Sequence, residues 1–168
     1  MVDPTAGRPG TVHTGLVEAI DLLPTFKDVL GLEVSSPWLD GRSLVPALRG
    51  TGEPVREAVF SELDYAFYGA RRTLGIGVND ARATMVRTVR WKYVRFEGFP
   101  PQLFDLEADP DELHDLGRDP GSQALRATME EHISRWRSRC RSRTAMSDAE
   151  VAARGDRTKV GGVRIGEW

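Results

Sequence analysis

The sequence predicts an α+β fold: a small four-stranded antiparallel sheet packed by a carboxyl-terminal amphipathic helix. Three observations predict it. Residues 57–63 (EAVFSEL), 83–89 (ATMVRTV), 91–98 (WKYVRFEG) and 102–106 (QLFDL) are short runs rich in β-branched and aromatic residues, separated by turn material. Leu125, Met129, Ile133, Trp136 and Cys140 then form one apolar stripe at steps of four, four, three and four. Ahead of the strands, Leu16, Val17, Ile20, Leu23, Phe26, Val29 and Leu30 follow the three-and-four spacing of a helix with one buried face.

The first helix is bounded by its own punctuation. Pro24 in a helix interior would remove a hydrogen bond, so the helix proper is expected to start near Asp21, which can cap it and leave Pro24 in the first turn. Gly31 ends it. Residues before Asp21 are expected as strand or loop. Pro37, Gly41, Pro46, Gly50, Gly52 and Pro54 make 33–54 a connector with room for one short helical turn at 44–48. The second and third strands are nearly contiguous, which places a tight hairpin around Val89 and Arg90, although neither residue is a favoured occupant of a two-residue turn. Residues 64–82 form a long loop with three glycines and one helical turn, a candidate functional element by its length. An acidic, proline-marked stretch at 107–121 leads to Ser122, the expected cap of the second helix. Residues 142–168 read as a polar extended arm, with a short helical possibility at 147–154 capped by Ser147.

Composition bounds the function classes. The chain has 168 residues, 40% hydrophobic and 29% charged, the proportions of one soluble globular domain. No stretch approaches the ~20 apolar residues of a membrane-spanning helix. A net charge of -2 argues against nucleic-acid binding by overall basicity. The one cysteine excludes an internal disulfide or a thiolate zinc cluster, and the amino-terminal residues lack the basic and apolar regions of a signal peptide, so a cytoplasmic location is expected.

A search for chemistry finds little. There is no Gly-x-Ser-x-Gly elbow, no Walker-type loop and no His-Glu-x-x-His helix. His13, His114 and His132 stand apart, and metal sites need several convergent ligands. Asp105, Asp109, Asp111, Glu112 and Asp115 alternate like a calcium loop, but counting from Asp105 its sixth and twelfth positions are Pro110 and Leu116 where glycine and glutamate are required. Those carboxylates are expected to cap turns. Nearby arginines would activate the Cys140 thiol, yet its place on the apolar stripe predicts a buried structural residue. Arg135, Arg137, Arg139, Arg141 and Arg143 alternate around Trp136. Residues 123–168 hold ten basic and six acidic residues, whereas 97–121 hold eight acids and one arginine, so pairing between the two segments is expected in place of a nucleic-acid surface.

Motifs in one order then resemble the carboxyl-terminal third of sulfatases. They are Ile20-Asp21-Leu22-Leu23-Pro24-Thr25 with Leu30-Gly31-Leu32; Leu39-Asp40-Gly41-Arg42-Ser43-Leu44; Arg87-Thr88-x-Arg90-Trp91-Lys92-Tyr93; and Gln102-Leu103-Phe104-Asp105-Leu106-x-x-Asp109-Pro110-x-Glu112-x-x-x-Leu116. The resemblance covers roughly residues 1–140. Glu62-Leu63-Asp64-Tyr65, Ala70-Arg71-Arg72-x-Leu74-Gly75 and Ile165-Gly166-Glu167-Trp168 are similar to the phosphonate monoester hydrolase and arylsulfatase branch.

The resemblance implies a place in the alkaline phosphatase superfamily, whose members of this kind cleave sulfate, phosphate or phosphonate monoesters with a divalent metal and a formylglycine nucleophile made from a Cys-x-Pro-x-Arg motif. Cys140 is followed by Ser142 where proline is needed and Thr144 where arginine is needed, and no Asp-His pair occurs. The resemblance therefore implies a carboxyl-terminal fragment with no catalytic, metal-binding or cofactor-binding residue. On this reading 1–54 end the catalytic α/β domain and include a remnant helix, 55–143 are the carboxyl-terminal subdomain, and 144–168 form an arm for homo-oligomer contacts. The 64–82 loop would wall the substrate pocket through Tyr65, Tyr68, Arg71 and Arg72, and the partner would be the amino-terminal catalytic portion. Trp91, Tyr93, Leu103 and Phe104 would fill the space between sheet and helix. The alternatives are a free-standing interaction or oligomerisation module and an arginine-rich nucleic-acid binder.

Overall fold

Alternating apolar residues in the middle of the chain line up across a sheet. The computed structural model describes residues 10, 12–34, 39–51 and 55–142. Its strands are β1 (Val59–Asp64), β2 (Arg82–Arg87), β3 (Trp91–Phe96) and β4 (Gln102–Asp105), in the order β1-β2-β3-β4 with every neighbour antiparallel. All four sequence runs form strands, each trimmed by one or two residues at one end, while β1 and β2 extend one residue further at the other. The register places Phe60 opposite Val86, Val86 opposite Tyr93 and Tyr93 opposite Leu103, one apolar row across the sheet. Two residues along, Glu62, Thr84 and Arg95 make a polar row on the same face.

The apolar row is covered by α4 (Gln123–Ser142). Met129 and Ile133 lie buried against Val86, Tyr93 and Leu103, with Leu125 and Trp91 packed around them. Trp136 stacks on Phe60 with ring centroids 4.9 Å apart and planes 4° from parallel. Cys140 departs from the expectation of a buried thiol, because it is exposed. A 20-residue helix is about 30 Å long, while six-residue strands reach about 20 Å. The last turn therefore outruns the strands, and Cys140 lies on it. Ser122, just before α4, lies in a 3₁₀ turn over Pro120–Ser122 that Asp119 caps, accepting the Gly121 N–H and the Ser122 hydroxyl.

The β2–β3 connection is the expected hairpin. Among the described residues Glu112 is the one non-glycine with positive φ, so Val89 and Arg90 do not make a primed turn. Thr88 closes it instead: its N–H donates to the Trp91 carbonyl at 2.8 Å, and its hydroxyl accepts the Trp91 N–H at 3.0 Å. The outer edge of β4 is covered by the acidic segment, where Asp115 accepts the Leu103 N–H and the Leu116 N–H donates to the Leu103 carbonyl.

The amino-terminal elements pack on one another. A 3₁₀ turn over Ala19–Asp21 runs into α1 (Leu22–Val29), Pro24 falls in the first turn, and Gly31 at φ +67° lets the chain turn away. The short α2 (Val45–Leu48) packs against α1. Asp21 stands at the first position but does not cap α1 with its side chain. Its carboxylate is taken by other donors, described below. The Asp40-Gly41 step is tight because the Ile20 carbonyl oxygen would lie 2.0 Å from any Cβ at Gly41. The 147–154 helical possibility and the 144–168 arm lie outside the described residues.

Candidate functional site

The long loop expected from its length is ordered by one arginine. It contains α3 (Gly69–Thr73) and a 3₁₀ turn over Val78–Asp80. At its base the Tyr65 N–H donates to the Ala81 carbonyl, and the Tyr68 N–H to the Tyr65 carbonyl. Arg71 donates to the Ala66 carbonyl at 2.8 Å and to the Ile76 carbonyl at 3.1 Å, bridging the two arms of the loop. Of the four residues singled out in this loop, Arg71 is thus engaged internally, Tyr65 is half-buried, and Tyr68 and Arg72 are exposed. Phe67, which the sequence reading passed over, is 94% exposed beside Tyr68. The signal that could have found it was an aromatic pair inside a glycine-bearing loop.

Next to this loop lies a concavity of about 430 Å³ lined by Glu62, Asp64, Asp80, Arg82, Glu97 and Arg137, among others. Arg137 of α4 donates to the Thr84 hydroxyl and pairs with Glu62 at 3.3 Å and Glu97 at 3.5 Å. Burial opposes ionisation of Glu97, but its hydrogen bond from Arg95 and the positive charges of Arg95 and Arg137 hold its carboxyl below the ordinary range. The expected pairing of the arginine run with the acidic segment is realised by Arg137 and Glu97. Arg135 instead pairs with Glu131 one turn back on α4.

The acidic stretch caps turns. Asp105 accepts a bidentate pair from Arg90, with Nη2 at 2.7 Å, and the N–H groups of Glu107 and Ala108. That Arg90 hydrogen bond is the main reason its carboxyl is held below its ordinary value. Asp109 accepts the His114 N–H at 2.7 Å, which holds that carboxyl down in the same way. Arg90 also lies over the Trp91 ring at 4.7 Å, so the hairpin tip is tied to the end of β4. Sequence reasoning missed this role for Arg90.

A divalent metal and a formylglycine do not fit these residues. Among the described residues no three His, Cys, Asp or Glu side chains converge on a metal position. The best carboxylates are occupied by Arg90 and by backbone N–H groups, and the sequence lacks Cys-x-Pro-x-Arg. No helix among the described residues is long and apolar enough to cross a membrane.

A second carboxylate with four donors lies among the amino-terminal elements. Asp21 is fully buried, and its carboxylate accepts the Glu18 N–H and the Arg42 N–H, each at 2.8 Å, together with Nε and Nη2 of Arg56. Burial raises its pKa, yet the Arg56 hydrogen bond and the two backbone donors outweigh this and hold it below the ordinary value. Glu18 pairs with Arg56 at 2.7 Å and accepts the Phe60 N–H at 2.8 Å.

The sheet with its covering helix and the loop held by Arg71 make up an α+β subdomain. The model of the family described as N-sulphoglucosamine sulphohydrolase, C-terminal, matches residues 1–139, and the chain belongs to this carboxyl-terminal domain family of sulfatases. The multifunctional alkaline phosphatase superfamily protein PehA of Trinickia caryophylli is 33% identical over 132 residues, 76% of this chain and 26% of the relative. The choline-sulfatase of Rhizobium meliloti is 38% identical over 125 residues, 72% of this chain and 21% of the relative. Among solved structures, the phosphonate monoester hydrolase of Silicibacter pomeroyi superposes with a TM-score of 0.70 at 30% identity, over 83% of this chain and 28% of that one. That of Agrobacterium radiobacter gives 0.64 at 38% identity, over 74% and 25%. The chain spans about a quarter of the length of the relatives it matches.

Proposed function

We propose that this chain serves as the carboxyl-terminal subdomain of a hydrolase of sulfuric, phosphoric or phosphonic monoesters and is inert alone. The observation that carries the reading is the outward apolar surface of the amino-terminal elements: Leu23 is 55%, Phe26 51% and Leu30 72% exposed. An exposed patch of this kind is a contact surface. Its occupant on this reading is a catalytic portion of the same family, because the relatives carry some three quarters of their length beyond the matched region. In that assembly the 64–82 loop, with Tyr65, Tyr68, Arg71 and Arg72, lies at the wall of the substrate pocket. Two features support that placement, the fixing of the loop by Arg71 and the exposure of Phe67 and Tyr68.

The test is to assay the purified chain with aryl sulfate and phenyl phosphonate esters plus manganese, alone and with a catalytic portion from a matched relative. No turnover is expected from the chain alone, with stable co-purification of the two portions. Turnover by the chain alone, unaffected by Cys140→Ala, overturns the reading.

A second reading, a free-standing interaction module, is favoured by the self-contained packing of Val86, Tyr93, Leu103, Met129 and Ile133. It predicts one cooperative melt without light scattering, whereas a docking subdomain aggregates through the α1 surface.

A further inference from the structure

The molecule has two packed regions with very different joints between them. In residues 58–142 the strands and α4 pack on one another around an apolar cluster. In residues 18–51 the 3₁₀ turn, α1 and α2 pack on one another around Pro24, Thr25 and Val45. Between the two run polar links. Arg56 reaches back from the approach to β1, its Nη2 and Nε on Asp21 and its Nη1 on Glu18. The other carboxylate oxygen of Glu18 accepts the Phe60 N–H, the outward-facing donor of edge strand β1. Arg42 donates from its Nη1 to the Val55 carbonyl at 2.6 Å. Asp21 and Arg56 are 35 residues apart in sequence, and Glu18 and Phe60 are 42.

We infer that Glu18, Asp21 and Arg56 form a clasp that sets the position of the α1 region against the sheet, and that the two regions open separately when it is released. An apolar joint tolerates sliding. A buried carboxylate fixed by four donors, sharing one guanidinium with a second carboxylate that also seals a strand edge, does not, because every donor has a defined direction. The guanidinium fork is what permits simultaneous service of both acids, a geometry lysine cannot reproduce. If the α1 surface docks as proposed above, the clasp also fixes where the 64–82 loop falls relative to that partner. The clasp itself does not depend on that docking, since it is read within this chain.

The experiment is hydrogen–deuterium exchange on the full chain without any partner, for the wild type, Arg56→Met, Arg56→Lys and Asp21→Asn. In the wild type, amides of α1 are expected to be protected. In Arg56→Met and Asp21→Asn, amides of Leu22–Val29 and Val45–Leu48 are expected to exchange about tenfold or more faster while those of β2 and β3 are unchanged, the mark of a local opening. Arg56→Lys should fall between, nearer to Arg56→Met. Equal acceleration in both regions, global unfolding of either variant, no change in either region, or α1 amides already unprotected in the wild type would each overturn the clasp. Because no catalytic portion is present, failure of docking leaves these outcomes untouched.

Discussion

Residues 58–142 and residues 18–51 are stabilised by opposite means. The first region buries apolar side chains across four strands, in the row from Phe60 through Val86 and Tyr93 to Leu103, beneath Met129 and Ile133. The second turns much of its apolar surface outward and buries polar groups instead: Asp21 and Thr25 are inaccessible, and the Thr25 hydroxyl donates to the Asp21 carbonyl at 2.5 Å while accepting the Leu44 N–H. A region organised on hydrogen-bond direction holds a shape without consuming its hydrophobic residues. That leaves Leu23, Phe26 and Leu30 on the surface, where the proposed function would use them.

The comparison can be broken most severely at its apolar side. Leu103→Ala removes a fully buried side chain from the sheet row and should cost about 3–4 kcal/mol through lost transfer energy and a residual cavity. Thermal melting followed by near-ultraviolet circular dichroism checks it, with a fall in Tm on the order of 10 °C or more. On the polar side, Gly41→Ala forces a Cβ to 2.0 Å from the Ile20 carbonyl oxygen and should cost about 2 kcal/mol by overpacking. Exchange protection should fall in α1 and not in β2 or β3; equal losses in both regions would refute the contrast.

Titration separates the regions next. Burial and donation to Glu130 at 2.9 Å raise the Tyr93 phenol well above its ordinary value. A raised pKa contributes stability that is complete below the unfolded value near ~10 and is lost as pH rises further. The sheet region should therefore weaken above about pH 10, and Tyr93→Phe should flatten that dependence. Asp21 is shifted the other way, so its contribution is present above the ordinary carboxylate value near ~4 and fades as pH falls below it. Loss of α1 protection on acidification, abolished as a pH effect in Asp21→Asn, is the expected result.

Smaller effects sharpen the picture. Trp136→Leu keeps an apolar side chain but ends the stack on Phe60, and should cost about 1 kcal/mol, read by urea denaturation. Arg135→Ala breaks the exposed pair with Glu131 one turn away, and should change stability by no more than about 0.5 kcal/mol. A larger effect would mean that the arginine run carries structure beyond Arg137.

Much of this fold is legible in the sequence. β-branched and aromatic runs located the strands to within one or two residues. Pro24 and Gly31 bounded the first helix by backbone chemistry alone. The misses share a cause. Cys140 continues the stripe of α4 faultlessly, but a stripe says which side a residue is on and not how deeply it is buried. The 3₁₀ turn over Pro120–Ser122, capped by Asp119, was not expected from the sequence, because a single turn carries no periodic signal. Asp21 looked like a cap for the helix it precedes, and its true partner Arg56 lies in a segment with no periodic signal to announce it.

The sequence by itself determined the secondary structure, the sulfatase-family motifs and the absence of a Cys-x-Pro-x-Arg nucleophile from these 168 residues, because propensity, periodicity and motif spacing are local properties of the chain. Tertiary structure alone decided which charges meet: Arg56 with Glu18 and Asp21, Arg90 with Asp105, Arg137 with Glu62 and Glu97. Ion pairing falls off over a few ångströms and depends on burial, so its partners are chosen by the folded path of the backbone and leave no spacing in the sequence to be read.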